Sequence, residues 1–177
     1  MKRSVFAALA VGVASLGMLA VASSARADRD HGRDSLRAKL KGFDEVPANS
    51  TTGTGELRLK IIDDSSIEFT LTYEDLEGTI TTASHIHLGQ KDVNGGVSVF
   101  FCGGGGRPAC TPTSGSFTGT ITAADVIGPT GQGIAAGEFA ELLTALRAGK
   151  TYVNVHTNKH PGGEIRGQIK GGGDEDE

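Results

Sequence analysis

Two short segments hold four of the chain's five histidines. The first is Thr82-Ala83-Ser84-His85-Ile86-His87-Leu88-Gly89. The second is Tyr152-Val153-Asn154-Val155-His156-Thr157, followed by Lys159-His160-Pro161-Gly162-Gly163. On an extended chain, residues two apart share a face. His85 and His87 therefore point one way and Ile86 and Leu88 the other, while Tyr152, Asn154 and His156 oppose Val153 and Val155. Two imidazoles at this spacing can ligate one ion, at about 2.0 Å for zinc or copper, once a third nitrogen arrives from another strand. His156 would supply it if the two segments pair, and His160, in the following turn, is a candidate fourth nitrogen or a group at the mouth. An isolated histidine pair is more often a surface or structural feature. The third strand-borne histidine is what brings metal binding level with that reading, with copper as the first expectation and zinc as the second.

Directly downstream, Gly162-Gly163-Glu164-Ile165-Arg166-Gly167-Gln168-Ile169 places Glu164, Arg166 and Gln168 on one face and Ile165 and Ile169 on the other. An arginine beside an open metal site would attract small anions. The plainer expectation is an exposed Glu164–Arg166 ion pair, worth under about 1 kcal/mol. Asp44-Glu45, ahead of Pro47, reads as a turn, because adjacent residues of an extended chain point apart, with a metal or calcium contact as the lesser alternative. Cys102 and Cys110 enclose Gly-Gly-Gly-Gly-Arg-Pro-Ala. They are expected to form a local disulfide contributing roughly 2 to 3 kcal/mol, since their spacing exceeds the usual two to four residues of a thiolate metal pair. There is no Gly-x-Ser-x-Gly elbow, and the run Gly103 to Gly106 lacks the Gly-Lys-Ser/Thr ending of a phosphate loop.

The elements that must carry these side chains are strands. Leu36, Ala38 and Leu40 alternate with polar residues, as do Leu57, Leu59 and Ile61, and then Ile67, Phe69, Leu71 and Tyr73 beyond an Asp63-Asp64-Ser65-Ser66 turn. Further strands are expected over 79–88, 97–102, 115–121, 151–157 and 164–170. One segment departs from this period: in 138–148, Phe139, Leu142, Leu143 and Leu146 recur at helical spacing, with Gly149 as the cap. The pattern predicts an all-β fold, a Greek-key antiparallel β-sandwich of about eight strands with one short helix.

Composition and termini set the setting. Met1-Lys2-Arg3 precedes an apolar stretch from Val5 to Val21, and Ala25-Arg26-Ala27 has the small residues a signal peptidase reads. Residues 1–27 are thus expected to be a signal peptide, 28–34 a flexible lead-in that includes a solvated His31, 35–170 one domain, and 171–177 an acidic disordered tail. Loss of the signal removes Lys2, Arg3 and Arg26 and no acid, moving the net charge from −4 to −7. That balance argues against nucleic acid as a partner, and no later segment is apolar enough to insert in a membrane. The expectation is a secreted or periplasmic protein.

Phe43-Asp44-Glu45-Val46-Pro47, Ala83-Ser84-His85-Ile86-His87-Leu88-Gly89, Tyr152-Val153-Asn154-Val155-His156-Thr157 and Gly163-Glu164-Ile165-Arg166-Gly167-Gln168-Ile169 together resemble the signature segments of the chordin-type (CHRD) domain. The resemblance spans about Leu36 to Ile169 and implies an exported β-sandwich module. A weaker similarity is to copper-zinc superoxide dismutases, in the order of His85, His87, His156 and Arg166. It would make the histidines copper ligands and Arg166 an anion guide of catalytic importance. The intervening His and Asp cluster that holds zinc in those enzymes is missing here, and the cysteines are closer together. Three functions follow: an exported copper-binding module, a dismutase-like copper oxidoreductase, and a non-enzymatic scaffold whose protein partner the sequence does not name.

Overall fold

A computed structural model describes residues 34–171. The expected signal peptide, nearly all of the lead-in and the acidic tail beyond Gly171 lie outside the described residues. Among the described residues there are nine strands: β1 (Ser35–Lys41), β2 (Thr54–Asp63), β3 (Ser66–Glu74), β4 (Thr81–Leu88), β5 (Gly96–Cys102), β6 (Gly115–Ile121), β7 (Thr151–Thr157), β8 (Ile165–Gln168) and β9 (Lys170–Gly171). One α-helix, α1 (Phe139–Arg147), precedes β7. The fold is all-β, as the alternation requires. Its strands form one antiparallel sheet in the order β5-β4-β7-β8-β1-β2-β3-β6, with β9 beside β1.

The sheet curls until its edge strands β5 and β6 approach each other, nearly closing around a single apolar core. Leu57, Ile67, Leu71, Ile86, Val99, Ile121, Val153, Val155 and Ile165 are all fully buried there. The helix adds Phe139, Leu142, Leu143 and Leu146, the residues whose spacing predicted it, and Gly149 ends it with φ 64. Neither edge is bare. Ile127 N donates to Ser98 O (2.9 Å) and Gly96 N to Gln132 Oε1 (2.6 Å) along β5, while Arg107 Nη2 donates to Thr120 O (2.9 Å) along β6. Cys102 and Cys110 are disulfide-bonded.

The strand expected over 164–170 is instead two pieces. Residues 165–168 pair with 152–155 of β7, then Ile169 donates its N–H to Thr151 O and the chain crosses to lie against Leu36 and Arg37 of β1. Glu164 lies before β8, so the expected surface ion pair with Arg166 does not form. Both residues are buried, Glu164 with 0% and Arg166 with 2% of its surface exposed.

Candidate metal centre

Strands β4 and β7 are direct neighbours, with His85 opposite Asn154, His87 opposite Tyr152 and Ala83 opposite His156. The two histidine segments therefore meet, as one ion would require. Their core-facing partners Ile86, Val153 and Val155 anchor the strands from below with no exposed surface. Two irregularities in the β4–β5 pairing, between Ser84 and His85 and between Ile86 and His87, fall immediately before each histidine. Such bulges bend a strand and re-aim its side chains.

The imidazoles of His85, His87 and His156 form one cluster, with ring centroids 4.4 Å apart for His85–His87 and 4.5 Å for His85–His156. One nitrogen from each lies within 4.8 Å of the others. His160 is not in this group. Its backbone closes the turn after β7, donating to Thr157 Oγ1 and accepting from Gly163 N. Glu164 and Arg166 do not belong to this nitrogen cluster either, but Arg166 reaches it through an aromatic ring.

Hydrogen bonds fix the tautomers. His87 Nδ1 lies 2.8 Å from Gly95 O and His156 Nδ1 lies 2.9 Å from Pro161 O. A carbonyl only accepts, so each neutral ring carries its proton on Nδ1 and turns an Nε2 lone pair inward. His156 Nε2 is buried without a partner, and so is Nδ1 of His85. His87 Nε2 stands 3.1 Å from Asn154 Oδ1, two acceptors face to face, an arrangement that a half-turn of the amide or a cation between them resolves. The rings are neutral at physiological pH. Burial, reinforced by the neighbouring His87 and His156, pushes His85 from 6.5 down to about 2. Burial likewise takes His87 to about 4 and lowers His156.

A layer of side chains holds this cluster. Tyr152 stacks on His87 with centroids 4.6 Å apart and planes 4° from parallel. The Arg166 guanidinium carbon lies 3.4 Å from the centroid of the Tyr152 ring. Its Nη atoms donate to Asn94 Oδ1, Gln90 O and Val93 O, which clamps the loop between β4 and β5. That loop supplies Gly95, whose carbonyl orients His87 and whose N–H donates to the Tyr152 hydroxyl. Phe100 packs edge-on against His85 at 4.9 Å, and Gly104 and Gly105 of the disulfide-closed loop lie against Phe100.

Sequence reasoning singles out Asp44-Glu45 but does not find that the Glu45 side chain is buried. The Gly42–Asp44 turn carries it inward, where it is 6% exposed beside Asn154 and Arg166. Gly163, at φ 127, makes room for it, because a Cβ there would collide with the Glu45 carboxyl. The turn expected at Asp44-Glu45 is there in the backbone, but a buried carboxylate two residues before a proline leaves no period from which its inward path can be read. Burial, against the pull of Arg166, raises the Glu45 carboxyl from 4.5 to about 7. Folding therefore favours its protonated form, and stability from this group falls as pH climbs from about 4.5 through 7. Glu45→Gln is expected to raise the unfolding free energy by about 2 to 3 kcal/mol at pH 8 and to leave it unchanged near pH 4.5, as thermal denaturation at the two pH values would report.

The same segments decide the chain's kinship. Residues 36–169 match the CHRD domain, a span that runs from β1 to the end of β8 and includes every side chain described above. The chain belongs to the CHRD domain family. No curated protein matches it. The histidines, Glu45, Tyr152, Asn154 and Arg166 of this CHRD domain all fall within the matched span.

Proposed function

We propose that this CHRD domain is an exported metal-binding module that holds one copper ion through His85, His87 and His156. The observation that carries the reading is the set of inward lone pairs: three neutral imidazoles, two buried and one half-buried, whose proton-bearing nitrogens are, for His87 and His156, already committed to backbone carbonyls. A second hydrogen bond from the far nitrogen is the usual support of a metal-ligating histidine. Low proton affinity also removes the competitor that ordinarily displaces metal from imidazole below pH 6.5. Among divalent ions an imidazole site binds copper most tightly, with zinc the competing ion. Bonds of about 2.0 Å keep ligand nitrogens no more than about 4 Å apart, so the set must tighten slightly on uptake. The disulfide fits an oxidising compartment, in keeping with export.

Calorimetric titration of copper, and separately of zinc, into chelator-treated protein tests this. One ion per chain is expected, with copper the tighter, and uptake should persist at pH 5.5; absence of stoichiometric binding of either ion overturns the proposal. Arg166→Lys should keep the stoichiometry and weaken copper binding about ten-fold, because a lysine cannot both lie flat on Tyr152 and bridge three loop acceptors. The dismutase-like reading needs Arg166 as an open anion guide. Here the guanidinium is covered by Tyr152 and the loop carbonyls, which supports a positioning role instead.

A further inference from the structure

On β4, His85 and His87 stand two residues apart, and on the neighbouring β7 so do Asn154 and His156, with Asn154 opposite His85. Three imidazoles and one amide thus rise from one patch of sheet, and the amide is the most deeply covered of the four, with 3% of its residue's surface exposed. Asn154 Oδ1 lies 3.1 Å from His87 Nε2. Because His87 Nδ1 gives the ring's proton to Gly95 O, Nε2 is a lone pair and the contact joins two acceptors. Buried acceptors without a donor are costly. On its other side Asn154 turns Nδ2 toward the Glu45 carboxyl, and Nδ2 and Glu45 Oε1 converge on the space that a Cβ at Gly163 would fill. Reversing the amide mends the His87 contact only when the Glu45 carboxyl carries a proton to give to the amide oxygen. A cation between Oδ1 and Nε2 mends it with the amide as it stands. The separation suits one, since atoms about 2.0 Å from a tetrahedral ion stand about 3.3 Å from each other.

We infer that Asn154 is a fourth ligand of the metal centre, its Oδ1 completing a set of three nitrogens and one oxygen that favours a divalent ion over cuprous copper. The inference rests on the reading of His85, His87 and His156 as a metal site, and adds a ligand that a search for histidines passes over. Carbonyl-type oxygen suits harder cations, whereas soft sulfur ligands are those that select cuprous copper. Cupric copper or zinc gains a fourth bond from Oδ1, and a cuprous ion gains little. Glu45 acquires a role as well. A carboxyl facing Nδ2 fixes the direction of the amide and draws electron density toward Oδ1, the service that outer hydrogen-bond partners render to metal ligands. Gly163 leaves room for that carboxyl, which the three histidines do not touch through any hydrogen bond of their own.

The test compares wild type, Asn154→Ala and Asn154→Asp in their affinity for cupric copper and zinc, by calorimetry, and for cuprous copper, anaerobically under ascorbate by competition with a coloured chelator. Asn154→Ala should bind the two divalent ions weaker by about ten-fold or more, a loss that even an outer partner of a metal ligand can cause, and cuprous copper as tightly as the wild type does. Asn154→Asp, which returns an oxygen of the same reach, should bind the divalent ions at least as tightly as the wild type, and it decides the matter if the alanine variant does not fold. A wild type that takes up neither divalent ion overturns the histidine reading and this inference with it. Wild-type uptake that Asn154→Ala leaves unchanged, or weaker divalent binding by Asn154→Asp, overturns this inference alone. So does a parallel loss of cuprous and cupric binding, which would make Asn154 a positioning residue.

Discussion

Replacing His85 and His87 together with alanine is expected to abolish stoichiometric copper uptake, with apparent affinity falling by at least two orders of magnitude. Two of three nitrogens vanish, and His156, which is held by Pro161 and partly open, is a lone imidazole. The informative companion measurement is the melting temperature with and without ion. A ligand that binds only the folded state stabilises it by RT ln(1 + [L]/Kd), about 2.7 kcal/mol at one hundred times Kd. Wild-type protein should gain that increment on addition of copper and the double variant should not. Without metal the ordering can differ. Buried, unpartnered nitrogens burden the apo fold, so loss of the two rings should cost less than the roughly 3 to 5 kcal/mol that truncating well-packed aromatic side chains usually does. A variant that melts far below the apo wild type, and a wild type indifferent to copper, would together make the histidines architectural.

The largest effect on folding is expected at Glu164. Its carboxylate is buried and accepts from Thr51 Oγ1 (2.7 Å), Glu77 N (2.6 Å), Gly78 N (3.2 Å) and Thr157 Oγ1 (2.7 Å). Burial alone would raise its pKa, but these donors outweigh it and hold the carboxyl below its ordinary value. The group thus ties the loops before β2 and β4 and the end of β7 to the start of β8. Glu164→Ala leaves several donors unmatched inside the fold and should cost roughly 3 to 5 kcal/mol, measured by urea denaturation at pH 7. Because its folded-state pKa is lowered, its contribution is complete above about pH 4.5 and is lost as pH falls through the lower folded value. The difference between wild type and Glu164→Ala should therefore shrink in acid. A cost below 1 kcal/mol would return Glu164 to the exposed ion-pair role read from its sequence spacing.

These two sites mark what alternation reveals and what it hides. The period of two placed β6 and β7 residue for residue and set His85, His87 and His156 on one side of their strands. It also found the helix, from four apolar residues at another period. What it could not do was tell which polar face is covered. Tyr152 and Asn154 are as buried as the core beneath them because loops, not strands, roof that face. Loop paths carry no period. Glu45 and the clamp that Arg166 applies to residues 90–94 were invisible for that reason, and the Glu164–Arg166 pairing failed because Gly163 turns the chain just ahead of β8. The crossing of the last strand from β7 to β1 was hidden as well, since Ile169 satisfies an uninterrupted strand pattern and a broken one equally.

The covered margins of the sheet have a consequence for the protein in bulk. A strand with unclaimed N–H and C=O groups recruits the same strand of another copy, and the contact can repeat without end. Here Ile127, Gln132 and the Arg107 guanidinium occupy some of those positions. Arg107 itself belongs to the loop closed by Cys102 and Cys110. Resistance to fibre formation thus depends partly on one covalent bond, and a reduced sample held at high concentration should polymerise through the β6 margin before its core has melted.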